Sequence, residues 1–306
     1  MKLRPIHVDD YPMLKSHLSK HQHPLSGYAV ALLYEWNDVG GYTIEIGVRD
    51  NILFIGARNR LKPESSHLAL PLPAKTMSPS VLRQTAIDFE FGIVGYVPET
   101  YFDLYSREQV EHYFDVQAQP ESHDYIYLAS DLADLPGNGF AKKRNLIRQF
   151  EREWVEPGRT EIRSIDDQLI GPCREFLEAW CRDRECDAPD KDLMAVEKQA
   201  TLHALEKFEL LELRGIAILV DNAVSAMGIA AHLNQSTGVL NIQKAFASIT
   251  GLYQYLDREC ARRLFLGHYE FIDKESDMGV PGLGKSKRSY HPLKIVESFK
   301  LIPRSL

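Results

Sequence analysis

Cationic side chains gather in two short stretches of this sequence, and both are spaced to meet an anion. The first is Phe140–Trp154, where Lys142, Lys143, Arg144, Arg148 and Arg152 are opposed only by Glu151 and Glu153. At helical period Arg144, Arg148 and Arg152 share one side, while Phe140, Ile147, Phe150 and Trp154 form the apolar side. Such a stripe suits the phosphates of a polyanion such as a tRNA acceptor stem. The same pattern also describes a solvated face whose arginines pair with nearby carboxylates.

The second stretch is Asp277–His291. A glycine- and proline-containing loop, Gly279–Gly284, precedes Lys285, Lys287 and Arg288, so backbone amides and cations are expected around a single anion. Asp277, Tyr290 and His291 add groups able to donate or accept a proton. The bland reading is a tight turn into a helix, with Tyr290 as a buried anchor and Pro292 as the stop.

Other chemistry finds less support. The four cysteines, Cys173, Cys181, Cys186 and Cys260, include no CxxC pair, so packed, reduced thiols are expected instead of zinc or disulfides. His21 and His23 flank Gln22 in a polar stretch and are expected to be solvated, with no metal. His232 falls in an alternating strand. No nucleophilic triad is legible in the spacing.

These residues need elements to hold them. At 306 residues the chain suits two domains, expected at 1–135 and 136–306. A net charge of -7 excludes a wholly basic nucleic-acid binder and leaves room for a local basic patch. No apolar run approaches the ~18–20 residues that span a bilayer, and no signal-like segment opens the chain, so a soluble cytoplasmic protein is expected. In the first half the periodicity predicts helices over Val8–Lys20, Tyr28–Trp36 and Ser80–Phe89. A hairpin over Tyr42–Val48 and Ile52–Ala57 is predicted there too, with strands at Ile93–Val97 and Tyr125–Leu128. In the second half it predicts helices over Phe140–Trp154, from Ser164–Asp167 through Cys181, over Asp192–Phe208 and over Leu252–Leu266. A hairpin over Ile216–Val220 and Val224–Leu233 and strands Val239–Ala245, Tyr269–Asp273 and Ile295–Leu301 complete it. That order suits mixed α/β sheets with helices on both faces.

Two motif blocks are longer and more specific. They are Asp124–Leu128 followed by Phe140–Asn145, and Phe271–Leu283 continuing through Lys285–Pro292. With them the chain resembles soluble relatives of the phosphatidylglycerol lysyltransferase C-terminal domain over nearly its whole length. The resemblance implies two tandem acyltransferase folds of the Gcn5-related N-acetyltransferase type. It also implies an aminoacyl or acyl transfer, with aminoacyl-tRNA or acyl-coenzyme A as donor and an unassigned acceptor. In the lysyltransferases a strand carries Asp and, three residues on, Arg; the matching positions are Asn241 and Lys244. Acetyltransferases of this fold cradle the coenzyme A pyrophosphate on a glycine-rich turn. The matching turn, Phe246–Gly251, offers Ser248, Thr250 and the lone Gly251. The resemblance therefore places Asn241 and Lys244 at the reacting centre, and the proton-transfer capacity of Asp277 and Tyr290 adds them to it. It adds the cations of both basic stretches as phosphate binders. A non-catalytic anion-binding protein on the same fold, and a coenzyme A-dependent N-acetyltransferase, are the competing readings.

Overall fold

The computed structural model describes residues 1–186 and 192–305. The chain divides into two compact units. One comprises Met1–Tyr125, Glu275–Gly284 and Ile295–Leu306; the other comprises Ile126–Lys274 and Lys285–Lys294. The units thus interleave along the chain instead of abutting at 135/136.

The first unit contains β1 (Arg4–Pro5), α1 (Tyr11–Leu18), α2 (Val30–Glu35), β2 (Tyr42–Arg49), β3 (Ile52–Asn59) and β4 (His67–Ala69). It continues with α3 (Pro79–Asp88), β5 (Val94–Pro98), α4 (Thr100–Leu104), α5 (Arg107–Tyr113) and β6 (Phe114–Ala118). The β2–β3 hairpin turns on Asp50 and Asn51, whose φ values of 52° and 60° suit the short polar side chains favoured in such turns. Its seven-stranded sheet runs β1-β2-β3-β4-β5, then the strand Ser298–Pro303, then β6. Only β4 and β5 pair in parallel. Phe54, Leu68, Val94 and Phe114 meet Leu82 and Val110 from the helices to form the core.

The second unit is built from β7 (Asp124–Leu128), α6 (Ala129–Asp134), α7 (Ala141–Phe150), β8 (Thr160–Ser164), α8 (Asp167–Arg184), α9 (Asp192–Glu206) and β9 (Arg214–Val220). β10 (Ala223–His232), β11 (Thr237–Ala245), α10 (Leu252–Cys260), β12 (Phe271–Asp273), α11 (Pro281–Arg288) and β13 (Lys294–Val296) follow, and β14 is the Ser298–Pro303 strand of the first sheet. Asp166 caps α8, accepting hydrogen bonds from the Gln168 and Leu169 amides, as its place before an apolar stripe suggests. The second sheet runs β8-β9-β10-β11-β12-β7-β13. Counted from β1 and from β8, the two sheets match: the fourth and fifth strands form the parallel pair, and the sixth comes from a distant part of the chain. This is the expected tandem of mixed α/β sheets.

Two helix layers cover the second sheet. Met227 pairs with Lys244, and Lys244 faces Trp180 of α8. The next pair, Gly228 with Gln243, faces the other way, and a Cβ on Gly228 would lie 2.2 Å from Cys260 Sγ of α10. β11 and β12 pair only over Thr237–Val239 and Phe271–Asp273. Beyond Asp273, β11 runs on to Ala245, and among the described residues no strand covers that edge.

All four cysteines are free and buried. Burial pushes the Cys173 and Cys181 thiols up to about 12, so neither is a thiolate nucleophile at neutral pH. No helix among the described residues is long and apolar enough to cross a membrane.

Candidate functional site

Where β12 ends and leaves the β11 edge uncovered, a cluster of ionisable groups is packed behind the sheet. Lys274, the residue after β12, donates to both carboxylate oxygens of Asp257 on α10, at 2.7 and 2.8 Å. Both partners are buried, at 9% and 3% exposure. The Lys274 ammonium also lies 4.9 Å from the centre of the Tyr290 ring. Tyr290 is buried and shares the same carboxylate through its phenol. Burial, then the Asp257 charge and the hydrogen bond to it, raise the Tyr290 phenol well above its ordinary value, so it remains a proton-bearing donor at neutral pH.

Lys143 of α7 completes the group. Its ammonium sits 3.9 Å from the centre of the Tyr290 ring and donates to Ser289 Oγ at 2.8 Å. Burial lowers the Lys143 pKa; Asp257 pulls it back up and Lys274 pushes it down. Tyr127 of β7 donates to the Lys287 carbonyl at 2.9 Å, and the Lys287 ammonium in turn donates to the Lys274 carbonyl. Lys143, Lys287 and Tyr290, singled out in the sequence, are thus brought together. Lys274 and Asp257 were missed. Asp257 had a legible signal: it is a carboxylate beside Leu256 on the buried face of an amphipathic helix, where a charge demands a partner.

Lys244 lies on the opposite face of the sheet. It is 1% exposed, donates to Glu197 at 2.8 Å, and packs 4.3 Å from the centre of the Trp180 ring. The Trp180 indole donates to the Ala245 carbonyl and the Tyr253 hydroxyl, fixing that ring. Asn241 sits on β11 at the irregularity where Leu240 and Ile242 pair with consecutive residues of β10. Lys244 is therefore committed to holding a half-exposed carboxylate.

The turn expected to cradle a pyrophosphate does something else. Gly251 has a φ of 82°, and a Cβ there would stand 2.1 Å from the Leu146 carbonyl oxygen of α7. Its glycine thus serves close packing between α10 and α7, and that side of the Ser248–Thr250 turn is filled by protein.

Other expectations need correction. Gly279–Gly284 is not a loop throughout, because α11 begins at Pro281 and Lys285, Lys287 and Arg288 lie along its last turns. Lys285 and Arg288 are exposed. Asp277, in the first unit, accepts from the Tyr125 hydroxyl at 2.8 Å and from the Gly279 amide, holding the turn ahead of α11. Arg144 leaves the expected stripe: it donates to the Leu135 and Gly137 carbonyls and secures the approach to α7. Arg148, which donates to Asn145, and Arg152 remain exposed, as does Lys142.

His23 is the clearest departure from a solvated loop. It is 7% exposed, stacks on Tyr28 with ring centres 3.5 Å apart, and accepts the Leu25 amide on Nδ1. Burial lowers its pKa from 6.5 to about 3. A depressed folded-state value means the contribution to stability is whole above pH 6.5 and is lost as the pH falls towards 3. Between pH 7 and pH 4 that loss is expected to be about 3 kcal/mol. Urea melts of the parent and of His23→Asn across this range check it. An identical acid limb in both proteins would refute the assignment.

Comparison with known proteins shows the family of the chain. The model of the family described as "Phosphatidylglycerol lysyltransferase, C-terminal" matches residues 94–301, more than half of the chain. The chain belongs to this family. A conserved protein of unknown function from Bacteroides thetaiotaomicron has the same fold with a TM-score of 0.86, 25% identity and 99% of each chain covered. The C-terminal domain of a putative lysylphosphatidylglycerol synthetase from Agrobacterium fabrum superposes with a TM-score of 0.62 at 10% identity, covering 97% of this chain and 92% of that one. An uncharacterised protein of Mycoplasmoides gallisepticum is 21% identical over 280 residues, covering 90% of this chain and 87% of its own. In this chain Phe140–Trp154 and the cations Lys285, Lys287 and Arg288 lie in the second unit, and the turn before α10 packs against α7.

Proposed function

We propose that the second unit transfers an activated acyl or aminoacyl group to a nucleophilic acceptor, by positioning and electrostatics instead of a covalent intermediate. The observation that carries this reading is the convergence of Lys274, Lys143 and the Tyr290 phenol on buried Asp257, beside the uncovered edge of β11. An aminoacyl ester is already activated. Donors held where negative charge develops on its carbonyl oxygen are then the main requirement. Asp257 keeps the cations and the phenol oriented. Lys244 acts from the other face as a positioning residue, holding Glu197. Exposed Arg148, Arg152 and Lys142 fit the phosphates of a large donor such as aminoacyl-tRNA. A binding protein without catalysis is the second reading, and the packing of Gly251 against Leu146 is the observation that favours it.

Hydroxylamine tests the reading without knowledge of the acceptor, because it takes the acyl group from any activated donor as a hydroxamate. Hydroxamate formation from aminoacyl-tRNA or acyl-coenzyme A is expected to exceed the uncatalysed rate. It should fall at least about tenfold in Lys143→Gln and in Tyr290→Phe. No acceleration with either donor would leave the binding-protein reading standing.

A further inference from the structure

The first unit holds an open groove of about 580 Å³, within the size range of small-molecule sites. Its rim carries Lys20 and His21 from the segment after α1 and Lys75 from the segment after β4, with the buried, neutral His23 beneath them. Among the described residues lining it there is no aspartate or glutamate, on a chain whose net charge is -7. The floor is apolar, with Leu70, Leu72, Pro98 and Leu104, and Asn51 and Thr100 add neutral polar groups.

Both segments are held firmly. Leu53 and Leu72 exchange backbone hydrogen bonds, the Tyr28 hydroxyl donates to the Leu70 carbonyl, and the Tyr105 hydroxyl donates to the Lys75 carbonyl at 2.7 Å. His23 is locked by its stack on Tyr28 and its bond to the Leu25 amide. The cations therefore converge on a preformed surface. His21 reports that convergence: burial lowers its pKa, and the neighbouring charges of His17, Lys20 and Lys75 lower it further. Like charges gathered without a carboxylate repel one another, and a bound anion relieves that repulsion.

We propose that this groove binds a phosphate monoester, its phosphate met by Lys20, His21 and Lys75 and its apolar body resting on Leu72, Pro98 and Leu104. A phosphate offers three acceptor oxygens, enough for donors arriving from two segments, and lysines serve it as mobile point charges. The apolar floor gives an alkyl or similar body a place to lie. Burial and then the charges of His17, Lys20 and Lys75 lower the His21 pKa, and a bound phosphate offsets the charges, so binding should raise it.

Calorimetric titration of the full chain with hexyl phosphate, inorganic phosphate and hexanol tests the site. Hexyl phosphate is expected to bind at least about tenfold more tightly than inorganic phosphate, and hexanol not at all. Lys20 and Lys75 are exposed, so Lys20→Ala/Lys75→Ala should keep the parent's melting temperature while weakening hexyl phosphate at least about tenfold. Lys62→Ala, an exposed lysine of the first unit outside the groove, should change nothing. The His21 imidazole, followed by NMR across pH 5–8, should titrate at higher pH with ligand than without. Co-sedimentation with phosphatidylcholine vesicles carrying phosphatidic acid separates the sources. Capture there as well as by hexyl phosphate assigns the head group to a lipid, and hexyl phosphate alone assigns a soluble ester. Equal affinity in parent and double variant, an unmoved His21, or no binding at about 10 mM hexyl phosphate overturns the proposal.

Discussion

Alanine at Gly251 is expected to destabilise the second unit by about 4 kcal/mol or more. Two penalties act together. The residue has a φ of 82°, which a side chain adopts at a cost, and its new Cβ would stand 2.1 Å from the Leu146 carbonyl oxygen and 3.1 Å from Phe150 Cβ. The clashing atom is backbone in the middle of α7, so a rotamer change cannot relieve it and the helices must separate. Trp154 and Trp180 lie in the second unit, and their fluorescence in a urea melt reads its stability there. A loss below about 1 kcal/mol would mean that α7 moves aside cheaply. The turn before α10 would then be open to a pyrophosphate after all, and the coenzyme A reading would return.

Removing the Lys274 ammonium should be nearly as damaging. Lys274→Met leaves the Asp257 carboxylate buried with its bidentate partner gone, and such losses cost about 3–5 kcal/mol. Lys274→Met/Asp257→Leu removes both charges and should recover most of that stability, since a matched apolar pair avoids the desolvation penalty. Urea midpoints of the parent, both single variants and the double variant close the cycle. Simple additivity would show that the two residues do not depend on each other. Should the double variant regain stability but not hydroxamate formation, the pair serves the reaction more than the fold.

Much of the secondary structure was legible because its signals are local. Asp50-Asn51 and Asp221-Asn222 turn hairpins through left-handed conformations that short polar side chains tolerate, and Asp166 opens α8 by capping it. The short helices α4 and α5 and the strand β6 were not anticipated; they occupy a compact run, Thr100–Ala118, with little room for either period to develop. What each glycine packs against cannot be read from its neighbours in sequence. Gly251 looked like the remnant of a ligand cradle and is a point of contact between helices.

The site divides in the same way. Lys143, Lys287 and Tyr290 stood out because charge and aromatic residues cluster along the chain. Lys274 and Asp257 meet only because β12 ends beside α10. Arg144 shared the periodicity of Arg148, yet the Leu135 and Gly137 carbonyls claim it, and helical spacing carries no record of a loop folded back over a helix. His23 was misjudged because polar neighbours suggested exposure, whereas Tyr28 covers its ring.

The place of β14 between β5 and β6 bears on how the protein is made. Residues up to Ala118 leave the ribosome with a gap in their sheet, flanked by two strand edges whose partner, Ser298–Pro303, has yet to be synthesised. Until it arrives, those edges offer unpaired amides and carbonyls to any passing strand. In the second sheet the equivalent strand, β7, precedes all the other members and itself waits for β12 and β13 to pair with it. The first sheet should therefore be exposed to misassembly from the synthesis of Ala118 until that of Ser298–Pro303.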